Sequence, residues 1–264
     1  AQERQWFLWE FDRQSTAYHM PAALKLKGEL DRVALEASFA GLVQRHEVLR
    51  TVFKSDDQGQ AHQIVQEAGA VPVEFVDLSA EPEARREEQL KEQVSWFHGK
   101  PFDLNTGPLL RIGLICLSEQ EHVLVVVMHH IVSDAWSMEI LIREFVQQYQ
   151  ARCEGREPEV PALPIQYADY AVWQRAWMEA GEKDRQLQYW LNHLNHEDQP
   201  LQLPLDHPRT AAGVYSAAHA GLKLPTELAQ GLHKAARAHS ATVFMVLLAG
   251  LQVLLSKYSG QVDI

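Results

Sequence analysis

An apolar segment that runs into two consecutive histidines constrains the fold of this chain more than any other feature. Residues 122–128 (HVLVVVM) predict a strand buried in the core, and residues 129–134 (HHIVSD) follow it directly. Two imidazoles and a carboxylate are costly beside aliphatic side chains unless they form hydrogen bonds or perform a function. Because successive side chains of a strand point to opposite faces, His129 and His130 cannot both face the same pocket. We therefore expect one histidine to be packed and the other to face a cavity.

Patterns of apolar residues divide the rest of the chain into strands and helices that alternate irregularly. Strands are predicted at residues 23–27, 48–53, 60–65, 71–76, 109–117 and 219–224. Helices are predicted at residues 32–46, 81–98, 137–149, 166–178, 184–194 and 243–259. Asp31 and Thr242 are the expected caps of the first and last of these helices, and irregular segments are expected at 154–164 and 200–213. This order of elements favours a layered α/β architecture over a bundle or a barrel.

Charge and composition exclude several classes of partner. The net charge of −11 argues against a nucleic-acid-binding protein, since contact with phosphates needs a basic surface. The chain has only two cysteines, Cys116 and Cys153, which argues against a disulfide framework and fits a reducing cytoplasm. Its most apolar helical stretch, residues 243–255, is too short to span a membrane and contains Gln252. We therefore predict a cytoplasmic protein that binds neither nucleic acid nor membrane.

From the residues alone, the chemistry of the histidine segment stays open. His130 is either a catalytic base or a buried histidine whose hydrogen bonds are satisfied by packing. A metal site formed by His129, His130 and Asp134 is disfavoured, because adjacent strand residues diverge and no further His or Cys stands at ligand spacing. A serine nucleophile at Ser133 or Ser137 is also disfavoured, because the chain lacks a G-x-S-x-G segment. We predict instead that Ser137 is a helix N-cap and that the protein binds no metal.

Aromatic residues are concentrated in two predicted helical segments. Residues 2–11 contain four aromatic side chains, which we expect to pack in the core. A second group falls at helical spacing and is also predicted to be core rather than a substrate platform: Tyr167, Tyr170, Trp173 and Trp177.

Five stretches of the chain resemble motifs of one known family. Residues 128–137 (MHHIVSDAWS) resemble the HHxxxDG signature of condensation domains from nonribosomal peptide synthetases. Residues 1–8 (AQERQWFL) are similar to the first motif of that family, and residues 45–53 (RHEVLRTVF) to the second. Residues 167–174 (YADYAVWQ) are similar to the fourth motif, and residues 101–111 (PFDLNTGPLLR) are also typical of the family. The motifs occur in the family's order and extend over most of the chain.

The resemblance implies an α/β fold of the chloramphenicol-acetyltransferase-like type, with two lobes that form a V-shaped pseudo-dimer. Residues 1–180 would form the N-terminal lobe with the HHxxxD motif, and residues 181–264 the start of a C-terminal lobe that is incomplete in this chain. The active site of such a protein lies in a tunnel between the lobes. Donor and acceptor peptidyl carrier proteins deliver substrates to it on 4′-phosphopantetheine arms, next to an adenylation domain. The domain itself would bind no cofactor.

The resemblance also implies a reaction and a role for each residue of the motif. The acceptor amine attacks the donor thioester carbonyl, which requires loss of a proton and a stabilised oxyanion. His130 is assigned to the amine, either as general base or as a positioning group, and His129 is expected to be a packed structural residue. Asp134 is expected to be structural too, in an ion pair with Arg50 of the second motif.

One position departs from the family pattern. The residue after the aspartate is usually glycine, which suits a positive φ or close approach of a substrate arm, whereas here it is Ala135. Ala135 and Ser137 are the residues expected along the acceptor passage. The motifs resemble the subtype that joins an L-configured donor to an L-configured acceptor. Three alternatives remain: an epimerisation domain, an acyltransferase of the same fold with a free or coenzyme-A-bound donor, and a non-catalytic module that docks carrier domains.

Overall fold

The computed structural model describes residues 2–194, 200–206 and 221–264. These residues divide into two compact units, Ala1–Ala180 and Gly181–Ile264, which are described separately below. The irregular segment expected at 200–213 and the strand expected at 219–224 lie partly outside the described residues. The assignment of the two units to two lobes stays a prediction.

The first unit is an α/β structure in which six strands and five α-helices are described. In chain order these are α1 (Gln2–Phe11), β1 (His19–Lys27), α2 (Arg32–Arg45), β2 (Thr51–Ser55), β3 (Ala61–Val65), β4 (Val73–Asp77), α3 (Glu83–Gly99), β5 (Leu110–Ser118), β6 (Glu121–His129), α4 (Ala135–Cys153) and α5 (Tyr167–Trp177). The strand predicted at 48–53 begins only at Thr51, because Glu47–Arg50 form a 3-10 helix. The Thr51 hydroxyl bonds the Glu47 carbonyl at 2.8 Å and so closes this turn against the start of β2.

The apolar strand β6 lies inside a four-stranded sheet of order β1-β6-β5-β4. It is antiparallel to β1 and β5, while β4 is parallel to β5, and β2 and β3 form a separate hairpin. Alternate side chains of β6 enter different cores. Val123, Val125 and Val127 pack on one face, whereas Leu124 and Met128 pack on the other. Both faces of β6 are therefore covered, which explains why its sequence is apolar without the usual alternation with polar residues.

Helices cover both faces of this sheet. Leu35 and Phe39 of α2 are buried on one face, together with the partly buried Phe145 of α4. The Asp31 carboxylate accepts the Ala34 N–H at 2.9 Å, so the predicted cap of α2 is confirmed. On the opposite face, α1 and α3 bury Trp9 and Phe97.

The expected core packing of the α1 aromatic residues is only partly correct. Trp9 is buried and Trp6 is partly buried against the core, but Phe7 and Phe11 are exposed. The reason is that this helix has aromatic residues on more than one side, and only one side contacts the sheet.

The second unit contains α6 (Lys183–His193), α7 (Thr226–Ala238) and α8 (Val243–Ser259). The predicted cap of α8 is confirmed, since the Thr242 hydroxyl accepts the Met245 N–H at 3.2 Å. Gly260 ends the helix with a φ of +73°, a conformation that suits glycine. Among the described helices, none alone is long and apolar enough to cross a membrane; α7 and α8 together pass that test but are bent by 105°.

Candidate active site

The end of β6 and the residue that follows it place the two histidines in different environments. His129, the last residue of β6, is 3% exposed, whereas His130 is exposed. β1 and β6 pair in register up to the pair His19 and His129. The His130 N–H then donates to the Tyr18 carbonyl at 2.8 Å. The neighbouring strand therefore fixes the backbone of both histidines before the loop begins.

His129 is a neutral, packed residue. Its Nδ1 accepts the Ile131 N–H at 3.1 Å, so the neutral ring carries its proton on Nε2. The ring lies against Phe102 and His19, with centroid distances of 6.2 and 6.3 Å. Burial, and to a smaller extent the nearby His19 and His130, lowers the pKa of His129 to about 4.

His130 is held so that only one of its nitrogens is free. Its Nδ1 lies 2.6 Å from the carbonyl oxygen of Ser133. A carbonyl can only accept, so Nδ1 carries the proton and donates it, and Nε2 keeps a lone pair. No hydrogen bond from the described residues reaches that Nε2. An exposed imidazole with a fixed tautomer and a free lone pair can accept a hydrogen bond or a proton from an incoming group.

Asp134 is the N-cap of α4, and Ser137 completes the cap. The Asp134 carboxylate accepts the Ser137 N–H at 2.7 Å, and the Ser137 hydroxyl accepts the Asp134 N–H at 2.8 Å. The prediction that Ser137 itself is the N-cap is therefore wrong, because the helix already begins at Ala135. The hydrogen bond from the Ser137 N–H is the main reason that the pKa of Asp134 is lowered.

The predicted ion pair between Asp134 and Arg50 is wrong. Arg50 lies 3.4 Å from the Glu47 carboxylate, measured from Nη2, and its Nη1 donates to the Gln66 carbonyl. Within the part of the chain that the structure describes, Asp134 forms no ion pair with a lysine or arginine. The Ser137 N–H donates a hydrogen bond to the Asp134 carboxylate. Arg50 lies at the end of the 3-10 turn, where its guanidinium contacts Glu47 and Gln66 instead.

The capping residues connect α4 to the loop of His130. The hydroxyls of Ser133 and Ser137 are 3.2 Å apart, and Ser133 also provides the carbonyl that orients the His130 ring. Ala135 is exposed at the first position of α4 and does not have a positive φ. The backbone therefore does not require glycine at Ala135.

The prediction that the aromatic residues of α5 lie in the core is wrong. Tyr167, Tyr170, Trp173 and Trp177 are 39–57% exposed, and their rings follow one another at centroid distances of 5.6–5.7 Å. Helical spacing places rings on one face of a helix but does not determine whether another element covers that face. Burial raises the pKa of Tyr167, and Tyr170 and the Asp134 carboxylate add to this shift.

The sequence did not identify the backbone groups that orient His130. The carbonyls of Tyr18 and Ser133 both contact this residue, and no residue-type signal marks a carbonyl. The register of β1 against β6 was the only available signal, and it requires knowledge of strand pairing. Among residues 2–194, 200–206 and 221–264, no group of three or more His, Cys, Asp or Glu side chains is arranged to hold a metal ion.

Comparison with known proteins agrees with the motif and the fold. Residues 1–264 match the family described as "Condensation domain". The chain is 42% identical over 264 residues to a linear gramicidin synthase from Brevibacillus parabrevis, covering 100% of this chain and 3% of that protein. It is 38% identical over 264 residues to tyrocidine synthase 2 of the same organism, covering 7% of that protein. The chain thus spans only a small part of the curated relatives that it matches.

Solved structures show the same architecture. The X-domain from teicoplanin biosynthesis, solved alone and in a complex with OxyB, has a TM-score of 0.81 and 34% identity, covering 97% of this chain and 56% of that one. The first condensation domain of the calcium-dependent antibiotic synthetase, in complex with a substrate analogue, has a TM-score of 0.79 and 23% identity, covering 100% of this chain and 61% of that one. The predicted chloramphenicol-acetyltransferase-like α/β fold is confirmed. The family match over residues 1–264, together with the shared fold and the histidine motif, shows that the chain belongs to the condensation domain family.

Proposed function

We propose that the protein catalyses amide bond formation between a donor acyl or peptidyl thioester and an acceptor aminoacyl thioester. The observation that carries this proposal is the geometry of the exposed His130, whose Nδ1–H is donated to the Ser133 carbonyl while no described residue forms a hydrogen bond with Nε2. Peptide synthases among the relatives of this family support the same reaction class.

In this reaction His130 acts on the acceptor amine. The amine nitrogen donates a hydrogen bond to Nε2 and attacks the donor carbonyl carbon, and its proton passes to Nε2 as the C–N bond forms. The tetrahedral intermediate then collapses, the C–S bond breaks, and the proton returns to the leaving thiolate. Because imidazoles exchange protons near neutral pH, the same ring can serve both transfers.

The other residues of the site support His130 in this proposal. His129 stays neutral and accepts a hydrogen bond from the Ile131 N–H, and the cap formed by Asp134 and Ser137 stabilises the start of α4. Arg50 stabilises the 3-10 turn instead of pairing with Asp134. Ala135, at the exposed end of α4, borders the acceptor passage, whereas Ser137 contributes through its capping hydroxyl.

The partners follow from the substrates. Condensation domains of peptide synthetases work with carrier proteins that bear 4′-phosphopantetheine and within modules that include adenylation domains. For this chain we propose one donor carrier, one acceptor carrier and a neighbouring adenylation domain, with no cofactor held by the domain itself. An L-configured donor and acceptor, and a cytoplasmic location with Cys116 and Cys153 both reduced, complete the proposal.

Dipeptide formation from two loaded carrier proteins tests the proposal. We expect the wild-type protein to form the product and His130→Ala to lower the rate by about 100-fold or more, the usual contribution of a general acid–base group. His62→Ala is the matched control, because His62 is an exposed histidine of β3 that pairs with Asp56 at 2.8 Å, away from the loop of His130. Full turnover by His130→Ala would contradict the assignment.

The same assay separates the alternatives. Product formation from a free or coenzyme-A-bound donor, in place of the carrier-bound donor, would indicate a related acyltransferase. Inversion of the donor α-carbon without formation of an amide would indicate an epimerisation domain. A docking module remains a second candidate, because the similar X-domain has been solved in a complex with OxyB. Carrier binding by the wild-type protein without any product would favour that role.

A further inference from the structure

Helix α1 contacts the loop that carries His130. The side-chain Nε2 of Gln2, in the first turn of α1, donates to the carbonyl of Ile131 at 2.8 Å. Ile131 is the residue directly after His130. At the other end of the helix, Trp9 Nε1 donates to the carbonyl of Phe102 at 2.9 Å in a buried position. The helix is therefore fixed at both ends, and one of these contacts lies at the proposed reactive residue.

The Ile131 residue is held on both sides of its backbone. Its N–H donates to His129 Nδ1 at 3.1 Å, and its carbonyl accepts from Gln2. The following residue, Val132, donates its N–H to the His129 carbonyl at 3.0 Å and closes a turn. This turn leads directly to Ser133, whose carbonyl accepts the His130 Nδ1–H. A short series of hydrogen-bonded backbone groups therefore connects the Gln2 amide to the Ser133 carbonyl that contacts the His130 ring.

We infer that Gln2 is a positioning residue for the reaction proposed above. By holding the Ile131 carbonyl, its amide fixes the peptide plane between Ile131 and Val132 and, through the turn, the place of the Ser133 carbonyl. Gln2 does not touch the reacting atoms. It acts on the tautomer and the direction of the His130 ring, and the inference rests on the proposed function only where turnover is measured.

The chemistry of this contact explains why an amide is needed. A carbonyl oxygen accepts only from a donor, and a glutamine provides a neutral N–H of the required length. A glutamate of the same shape has no donor when it is ionised and places a negative charge against the carbonyl. When it is protonated, its O–H can donate again. A leucine has neither a donor nor a charge at any pH.

The test compares Gln2→Glu and Gln2→Leu in the carrier-based assay at about pH 8. We expect both variants to lower kcat by about 5- to 10-fold at pH 8, the effect of one hydrogen bond, with KM changed by less than about twofold. Gln2→Glu is expected to lose more than Gln2→Leu, because an ordinary glutamate pKa of about 4.3 leaves its carboxylate ionised and repelled by the Ile131 carbonyl.

The matched control is Glu3→Gln. Glu3 is the next residue of α1, is exposed, and pairs with the exposed Arg175 at 3.6 Å, so its replacement is expected to leave kcat unchanged. Unchanged kcat in both Gln2 variants would overturn the inference. Equal losses of kcat in both variants that only follow a lower melting temperature would also overturn it, because they indicate a purely structural role.

A second readout does not depend on activity. In the full chain with ¹⁵N-labelled histidine, the wild-type His130 ring is expected to show a protonated Nδ1 when neutral, whereas Gln2→Leu shows a mixture of both tautomers. An identical tautomer in the two proteins would overturn the inference. If the tautomer changes but the wild-type protein forms no dipeptide, the proposed function fails while the positioning contact stands.

Discussion

Replacing Asp134 by alanine removes the cap of α4, and the size of the effect distinguishes a helix cap from a buried ion pair. The Asp134 carboxylate is exposed and accepts the Ser137 N–H at 2.7 Å. Loss of such a cap costs about 1 kcal/mol of unfolding free energy. Removing one partner of a buried ion pair would cost about 3–5 kcal/mol instead. We therefore expect Asp134→Ala to lower the unfolding free energy by about 1 kcal/mol.

Urea denaturation at pH 7, followed by tryptophan fluorescence, measures this difference. Asp134→Asn keeps an oxygen that can accept the Ser137 N–H and is expected to lie within about 0.5 kcal/mol of the wild type. Asp31→Ala is the matched control, because Asp31 caps α2 through the same type of bond at 2.9 Å. A loss above about 3 kcal/mol for Asp134→Ala, or a strong coupling with Arg50→Gln, would refute the reasoning.

The cap also gives Asp134 a defined pH dependence. The hydrogen bond from the Ser137 N–H lowers the pKa of Asp134 in the folded protein below its value in the unfolded chain. The stabilisation is therefore complete above the unfolded pKa, about 4, and is lost as the pH falls through the folded value. The difference in stability between the wild type and Asp134→Ala is expected to be constant from pH 5 to pH 8 and to shrink below about pH 4. An increase on acidification would contradict this sign.

Three further changes test other parts of the structure. The pKa of His129 is lowered from 6.5 to about 4, so the stability contributed by its neutral form is complete above pH 6.5 and is lost towards pH 4. His129→Asn is therefore expected to reduce the pH dependence of the unfolding free energy, measured with urea, between pH 6.5 and pH 4. An unchanged pH dependence would contradict the lowered pKa. Ala135→Gly is expected to raise the condensation rate if the methyl group narrows the acceptor passage, and an equal rate would exclude a steric role. A Cβ at position 113 would overlap the ring of Phe97, so Gly113→Ala is expected to lose about 1–3 kcal/mol in urea, whereas Gly69→Ala, with open space around it, is expected to lose less than about 0.5 kcal/mol.

Local sequence rules predicted the elements whose stability is decided by near neighbours. Asp31 and Thr242 cap their helices as expected, since each accepts an N–H only three residues further along the chain. β6 was predictable because its apolar run is unusually continuous. His129 and His130 do differ in burial as predicted, but His130 lies beyond the end of β6, so the turn and not strand alternation exposes it.

The errors concern contacts that depend on tertiary placement. The ion pair of Asp134 with Arg50 required two distant segments to meet, and a backbone N–H three residues away satisfied the carboxylate first. The spacing of the α5 aromatics, from Tyr167 to Trp177, gave their common face but not their exposure. The carbonyls of Tyr18 and Ser133, which orient His130, carry no residue-type signal at all.

The pairing of β1 with β6 places a length constraint on a part of the chain far from the histidine motif. His19 stands opposite His129, and the preceding carbonyl, that of Tyr18, receives the His130 N–H. A deletion or insertion of one residue inside β1 would exchange the two faces of that strand and present a different carbonyl to the loop. Insertions in the exposed turn between α1 and β1 avoid this shift. Chimaeric domains should therefore be joined in that turn, and never within β1, if the histidine is to keep its orientation.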